Sequence, residues 1–268
     1  MNSFLVILVM VAYLTIIFYV AYWAEKNSKS NWVNNAYVYT FSLAVYCTAW
    51  TYYGSVGLAA TSGIQFLAIY IGPIIIIPSW IILMKKIIRI SKRNKISSVA
   101  DFISLRYGNN RFLGALATLV CVLAIVPYIS LQLKAISETF NVITNHDIIS
   151  KSIIDDTTFY IAILLALFAA FFGTQNTDAS ERHKGIITAV AVESIIKLVF
   201  FIIVGLYVTF YLFNGPIDIL NQVSVFPDFQ KHQTVEGLEG GFNWFFYSLL
   251  SMIAIMLLPR QFQVTVVE

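Results

Sequence analysis

Charge is what this sequence has least of. Only 12% of its 268 residues are Asp, Glu, Lys or Arg, against 59% hydrophobic, where an average soluble domain carries about 25% charged residues. A water-soluble fold of this size would lack the polar surface to cover its outside, so a soluble domain is excluded and the solvent is lipid. Cysteine is nearly missing as well. Cys47 and Cys121 both lie inside apolar runs, which excludes a disulfide framework. His146, His183 and His232 fall in polar connecting stretches with no metal-ligand spacing, so no histidine metal site is expected. There is no phosphate-cradling glycine loop and no nucleophile–base pairing, so the chain does not read as an enzyme. The first apolar run, Phe4 to Trp23, has no basic residue before it and no cleavage site after it. It is a retained span, not a signal peptide.

Long apolar runs are what the chain does have. A helix needs about 20 residues to cross a hydrocarbon core about 30 Å thick. Seven runs qualify, at 4–23, 37–60, 64–84, 112–137, 159–173, 186–213 and 241–258. The fifth is short, and expected to be shielded by neighbours. The fold class is therefore all-α, a polytopic transmembrane helix bundle. The connection after the third run holds Lys85, Lys86, Arg89, Lys92, Arg93, Lys95, Arg106 and Arg111 against one acid, Asp101. The positive-inside rule makes that loop cytoplasmic and the N-terminus external. Lys26, Lys29, Arg182, Lys184 and Arg260 then also fall inside, thirteen basic residues against two outside, Lys151 and Lys231. The acids Asp147, Asp155, Asp156, Asp218, Asp228, Glu236 and Glu239 fall outside. The adjacent Asp155 and Asp156 read as a solvated turn. The basic run Lys85 to Lys95 reads as a topology signal that also contacts anionic lipid, not as a nucleic-acid site.

Three places depart from a plain lipid-facing helix. Around the second run, between Thr40 and Gln65, lie Ser42, Tyr46, Thr48, Thr51, Tyr52, Tyr53, Ser55, Thr61 and Ser62 with Gly54, Gly57 and Gly63. Hydroxyls at this density serve either a helix interrupted within the membrane or close helix packing. In the fourth run, Pro127 breaks the apolar sequence, and Gln132 and Lys134 follow. Lys134 either faces the bundle or snorkels to the outer interface. In the sixth run, Glu193 and Lys197 form an i, i+4 pair with the acid first, the favourable order. That pair either faces the bundle interior or fixes the helix at the cytoplasmic interface.

These residues carry a family resemblance. CTAWTYYGSVGLAATSGI (Cys47 to Ile64) resembles the first core helix of the sodium:solute symporters, without a gap against the proline-permease type. ISSVADFISLRYGNNR (Ile96 to Arg111) is similar to that family's cytoplasmic loop, and YISLQLKAI (Tyr128 to Ile136) to its next helix. AVAVESIIK (Ala189 to Lys197) occupies the place of another family segment. The ending LPRQFQVTVVE (Leu258 to Glu268) resembles symporter-like membrane modules fused to sensor histidine kinases.

The resemblance implies the first half of an inverted-repeat core of five plus five helices. Residues 1–36 would be an extra N-terminal helix and linker, 37–213 the first repeat, 214–240 an outside loop, and 241–268 the first helix of a truncated second repeat. It implies a multi-pass protein of the plasma (inner) membrane that senses or transports a small polar solute such as an amino acid. In the full-length protein a C-terminal kinase and a response regulator would be partners; the alternative is a fragment of an ordinary Na⁺-coupled symporter. It places possible Na⁺ carbonyls at Ala44 and Cys47, and a substrate-facing position at Ser251, with Trp50, Tyr52 and Gln132 as weaker ones. Tyr46 stands where the proline type has an aspartate important for Na⁺, and Glu193-Ser194 with Lys197 stand where transporters often show Thr-Asp and Gln. Both departures weigh against tight Na⁺ coupling.

Overall fold

The computed structural model describes residues 3–144, 158–163, 166, 184–226, 229 and 237–267. These are helical with short connections, and no strand occurs among them. Five described helical stretches are long and apolar enough to cross a membrane: Phe4–Lys26, Trp50–Asn94, Arg111–Thr144, Lys184–Leu212 and Gly240–Leu257. A shorter apolar helix covers Ala36–Tyr46. Trp50–Asn94 is two segments, because Gly63, at φ 54° and ψ −133°, turns the chain as only glycine readily does. Six of the seven expected spans are thus present. The fifth, 159–173, lies mostly outside the described residues, as do Asp155, Asp156 and the three histidines.

The elements run in order. α1 is Ser3–Lys26 and α2 is Ala36–Ser42, continued by a 3₁₀ turn over Leu43–Tyr46. After a break come a π turn at Trp50–Gly54 and α3, Ser55–Ser62. α4 (Leu67–Asn94), α5 (Val99–Arg106) and α6 (Arg111–Thr144) follow, then α7 (Lys184–Tyr207) with a π turn to Leu212. α8 is Pro216–Val223, α9 Gly237–Leu257 and α10 Pro259–Phe262, which ends in a π turn over Gln263–Val267. α4 outruns the apolar run 64–84 by ten residues, half of them Lys or Arg, which favour helix well enough to carry it out of the membrane. Pro127 interrupts the apolar sequence but not the helix, since α6 runs unbroken through it; membrane helices accommodate an internal proline.

The pairings reproduce the alternation of directions that the charges require. Gly185 N–H donates to Glu25 Oε2 at 2.7 Å, and Lys184 Nζ reaches Ser28 O at 3.0 Å and Asn34 Oδ1 at 2.6 Å. The segments assigned to the cytoplasm, 25–35 and the start of α7, therefore meet. α4 and α9 run parallel: Ser251 Oγ bonds Ala68 O at 3.1 Å, and further along Phe262 and Val266 join Met84, Ile96 and Val99 in a buried apolar cluster. α5 lies on α6 at the same end, capped by Ser98, whose Oγ accepts from Asp101 N at 3.1 Å. On the other side, Asp218 of α8 accepts from Asn214 N–H and from the Gln222 amide, which hold its carboxyl below the usual carboxylate range.

The polarity of this bundle is that of a membrane protein. Leu119, Val120, Leu123 and Val126 of α6 are exposed, while Ser42, Ser55, Ser137, Ser248 and Ser251 are buried. Small residues let helices approach where lipid tails offer no hydrophobic contrast. Ser42 and Ser248 return bonds to their own helices, to Tyr39 O at 2.7 Å and Trp244 O at 2.9 Å, while Ser251 also reaches across to α4.

Candidate functional site

The second span is interrupted. Cys47 adopts φ −80° and ψ 110° between the 3₁₀ turn and the π turn, leaving Cys47 and Thr48 outside any helix. From Ala36 to Tyr46 is about 16 Å at 1.5 Å per residue, about half the hydrocarbon thickness, so the break lies near the midplane. The nearby hydroxyls repair it locally. Thr51 Oγ1 accepts from Thr48 N at 3.2 Å, and Ser55 Oγ bonds Thr51 O at 2.5 Å.

A second break stands beside the first. Leu258, at φ −58° and ψ 123°, is extended between α9 and α10, because a residue before proline is pushed out of the helical region. The residues after Pro259 turn onto the first break. Arg260 Nη2 donates to Tyr46 O at 3.2 Å, Gln261 Nε2 to Leu43 O at 3.3 Å, and Tyr39 OH to Thr265 O at 3.0 Å. These bonds serve carbonyls that helix interruption leaves open.

A cavity of about 680 Å³ opens along the first break, walled by α1, α6, α7 and Arg260. Its lining includes Ala44, Cys47, Tyr52, Gln132, Glu193 and Lys197, six of the residues singled out in the sequence. Lys197 Nζ pairs with Glu193 Oε1 at 2.5 Å, both side chains about one-third exposed (33% and 34%). Glu193 lies nine residues into α7, about 14 Å from its cytoplasmic start. The pair is therefore at the depth of the break and not at the interface. The Tyr52 hydroxyl donates to Lys197 O and its ring meets Phe201 edge-on, 5.5 Å between centroids. Tyr52 thus ties the segment after the break to α7.

Thr48, Tyr53 and Ser194 line the cavity as well, and the remaining candidate site residues lie elsewhere. Tyr46 contributes its carbonyl to Arg260, and its side chain does not line this cavity. Trp50 folds back over Gly54. Ser251 is buried between α9 and α4, bonded to Ala68 O and Ser248 O, so it packs helices and does not face the cavity. Lys134 pairs with Glu138 at 3.6 Å, with side chains 69% and 52% exposed, as a snorkelling residue would. Lys134→Gln is expected to change thermal stability by less than about 0.5 kcal/mol, as exposed pairs do, measured by detergent thermal shift. Arg260 is the residue that sequence reasoning missed. It was counted among the topology charges, although a proline before an arginine at the end of an apolar run signals a broken helix.

The carbonyls attributed to Na⁺ sit in this setting. Ala44 O accepts Cys47 N at 2.8 Å, and the single carboxylate in the lining is paired with Lys197. Among the described residues, no cluster of three or more His, Cys, Asp or Glu side chains could hold a metal. A cation at the break would rest on neutral oxygens beside an ammonium group.

Comparisons with known proteins point the same way as this architecture. Residues 27–154 match the model of the Sodium:solute symporter family. The chain is 30% identical over 143 residues to the Uncharacterized symporter YodF of Bacillus subtilis (strain 168), a match that covers 52% of this chain and 27% of that protein. No solved structure matches. The chain is a multi-pass membrane protein, similar over residues 27–154 to the sodium:solute symporter family.

Proposed function

We propose that this chain is the solute-binding part of a symporter-like membrane module, and that its parent uses the module for sensing, with a C-terminal kinase as the reader. The observation that carries this reading is the charge at the break. Lys197 lines both cavities that flank Ala44 and Cys47, and Arg260 reaches over Tyr46 O. Lys197 is offset by Glu193, but Arg260 is a fixed cation against the break that opposes a mobile one by Coulomb repulsion. Solute binding would then favour one of two packings of the interrupted helices, and a cytoplasmic reader would follow the population.

The test uses the purified parent in liposomes, comparing uptake and binding of radiolabelled L-amino acids with and without Na⁺. Tight linkage between two ligands changes affinity by about 5–150-fold; here a change below about twofold is expected. The parent gene should continue past Glu268 into a second repeat and a domain with a phosphoacceptor histidine. A stop directly after the second repeat would sink the sensing reading.

The second reading is an ordinary Na⁺-coupled symporter, favoured by the similarity to a protein described as a symporter. It requires uptake that collapses when Na⁺ is removed.

A further inference from the structure

Three polar groups around the second break have nothing to bond to. Arg260 Nε, Gln132 Nε2 and Tyr128 OH are all buried and without a hydrogen-bond partner. They come from two elements, α10 and α6, that meet at one place. Arg260 and Gln132 line the cavity of about 680 Å³, and Arg260 and Tyr128 line an adjoining apolar cavity of about 470 Å³. The guanidinium is held over the Tyr128 ring, 4.9 Å from its centroid, and by one bond to Tyr46 O. It is oriented but not neutralised.

The charges of the cavity define what is missing. Among the described lining residues, Glu193 and Lys197 cancel in their ion pair. That leaves Arg260 as the one cation of the lining with no carboxylate within ion-pair distance. A charge set against an apolar wall is costly unless paired, and buried donors without acceptors are rare in folded proteins. A single negative charge with two coplanar acceptor oxygens meets both needs. The planar guanidinium fork matches a carboxylate, and a side-chain amide completes the set.

We propose that Arg260 and Gln132 are the anion-recognising residues of the solute site, and that the solute carries one carboxylate. This rests on the solute-binding reading above and names the solute's chemical class. A neutral sugar would leave Arg260 uncompensated. A phosphate dianion would exceed the single net positive charge of the lining. The cavity suits a ligand of amino-acid size with room to spare.

The experiment is a thermal-shift and equilibrium-binding screen of the full-length parent in detergent. The probes are the L-amino acids, straight-chain monocarboxylates, the matching carboxamides, D-glucose and inorganic phosphate. At least one carboxylate should bind, with its carboxamide at least about tenfold weaker, since a polar site left unpaired discriminates strongly. Arg260→Gln should weaken the carboxylate by about 30-fold or more and Arg260→Lys by less, because an ammonium lacks the planar fork. Gln132→Leu should weaken it severalfold. Its amide nitrogen bonds to neither break, so it reports on the site even where Arg260 variants fold poorly. If a carboxamide or glucose binds as tightly as any acid, and Arg260→Gln and Gln132→Leu leave its Kd unchanged, the carboxylate assignment is overturned while solute binding stands. If Arg260→Gln lowers the melting temperature with the carboxylate Kd intact, Arg260 only ties the two breaks together, which also overturns it. If no probe binds, the solute-binding reading falls and this assignment with it.

Discussion

Gly72→Leu is expected to abolish the folded parent protein, and even Gly72→Ala should lower its yield sharply. A Cβ at Gly72 would overlap the Ser251 hydroxyl, the Ser248 carbonyl and the Met252 backbone nitrogen. Two of these three are main-chain atoms of α9, which no rotamer change can move. The helices can admit a side chain only by separating, and separation breaks the bond from Ser251 Oγ to Ala68 O at 3.1 Å. Overpacking a close contact costs about 1–3 kcal/mol and more where backbone must shift. In a membrane, shape-matched packing is the main force between helices, so little remains to offset that cost. Gly57 is the control. It lies in α3, and a Cβ there would meet nothing within 4 Å, so Gly57→Leu should leave size-exclusion profile and melting temperature unchanged. Equal behaviour of the two variants would show that α4 and α9 do not meet at Gly72.

That contact shows where the sequence was legible and where it was not. Helices α1, α6, α7 and α9 could be read from apolar runs alone, because run length against bilayer thickness is a strict constraint. Which helices meet could not be read that way, since Gly72 and Ser251 are 179 positions apart and no local pattern joins them. The first break was visible as a density of hydroxyls and glycines. Its position at Cys47 was not, because Thr51 and Ser55 are as able to pack as to repair a gap. The second break carried a plain local signal in Leu258-Pro259, and the reading of span seven as one helix to 258 stopped just short of it. Ser251 was placed at the site by resemblance to a family pattern; the hydroxyl turns to Ala68 because α4 presents a small residue there. Glu193 and Lys197 stood open between interface and interior. Spacing alone gave their pairing, and only the packing of α7 against α2 and α1 gave their depth.

The depth of that pair makes a double-substitution cycle informative. Glu193→Gln leaves Lys197 without its partner at 2.5 Å, and Lys197→Gln leaves Glu193 so. Exposed pairs are worth about 0–1 kcal/mol, and losing one partner of a fully buried pair costs about 3–5 kcal/mol. With each side chain about one-third exposed (33% and 34%), each single variant should cost about 2 kcal/mol of stability, between those limits. The double variant should cost less than the sum of the two, with a coupling of about 1 kcal/mol or more. Additive losses would mean that the groups do not interact. Binding should separate the two variants that stability treats alike. Lys197→Gln would leave Glu193 unopposed and cancel Arg260, so the lining becomes neutral and a carboxylate ligand is repelled by Glu193. Glu193→Gln would raise the lining to two positive charges and strengthen anion binding. Opposite shifts in affinity with similar shifts in melting temperature would therefore place the pair in the solute site's electrostatics. Parallel shifts in both would confine it to holding α7 in place.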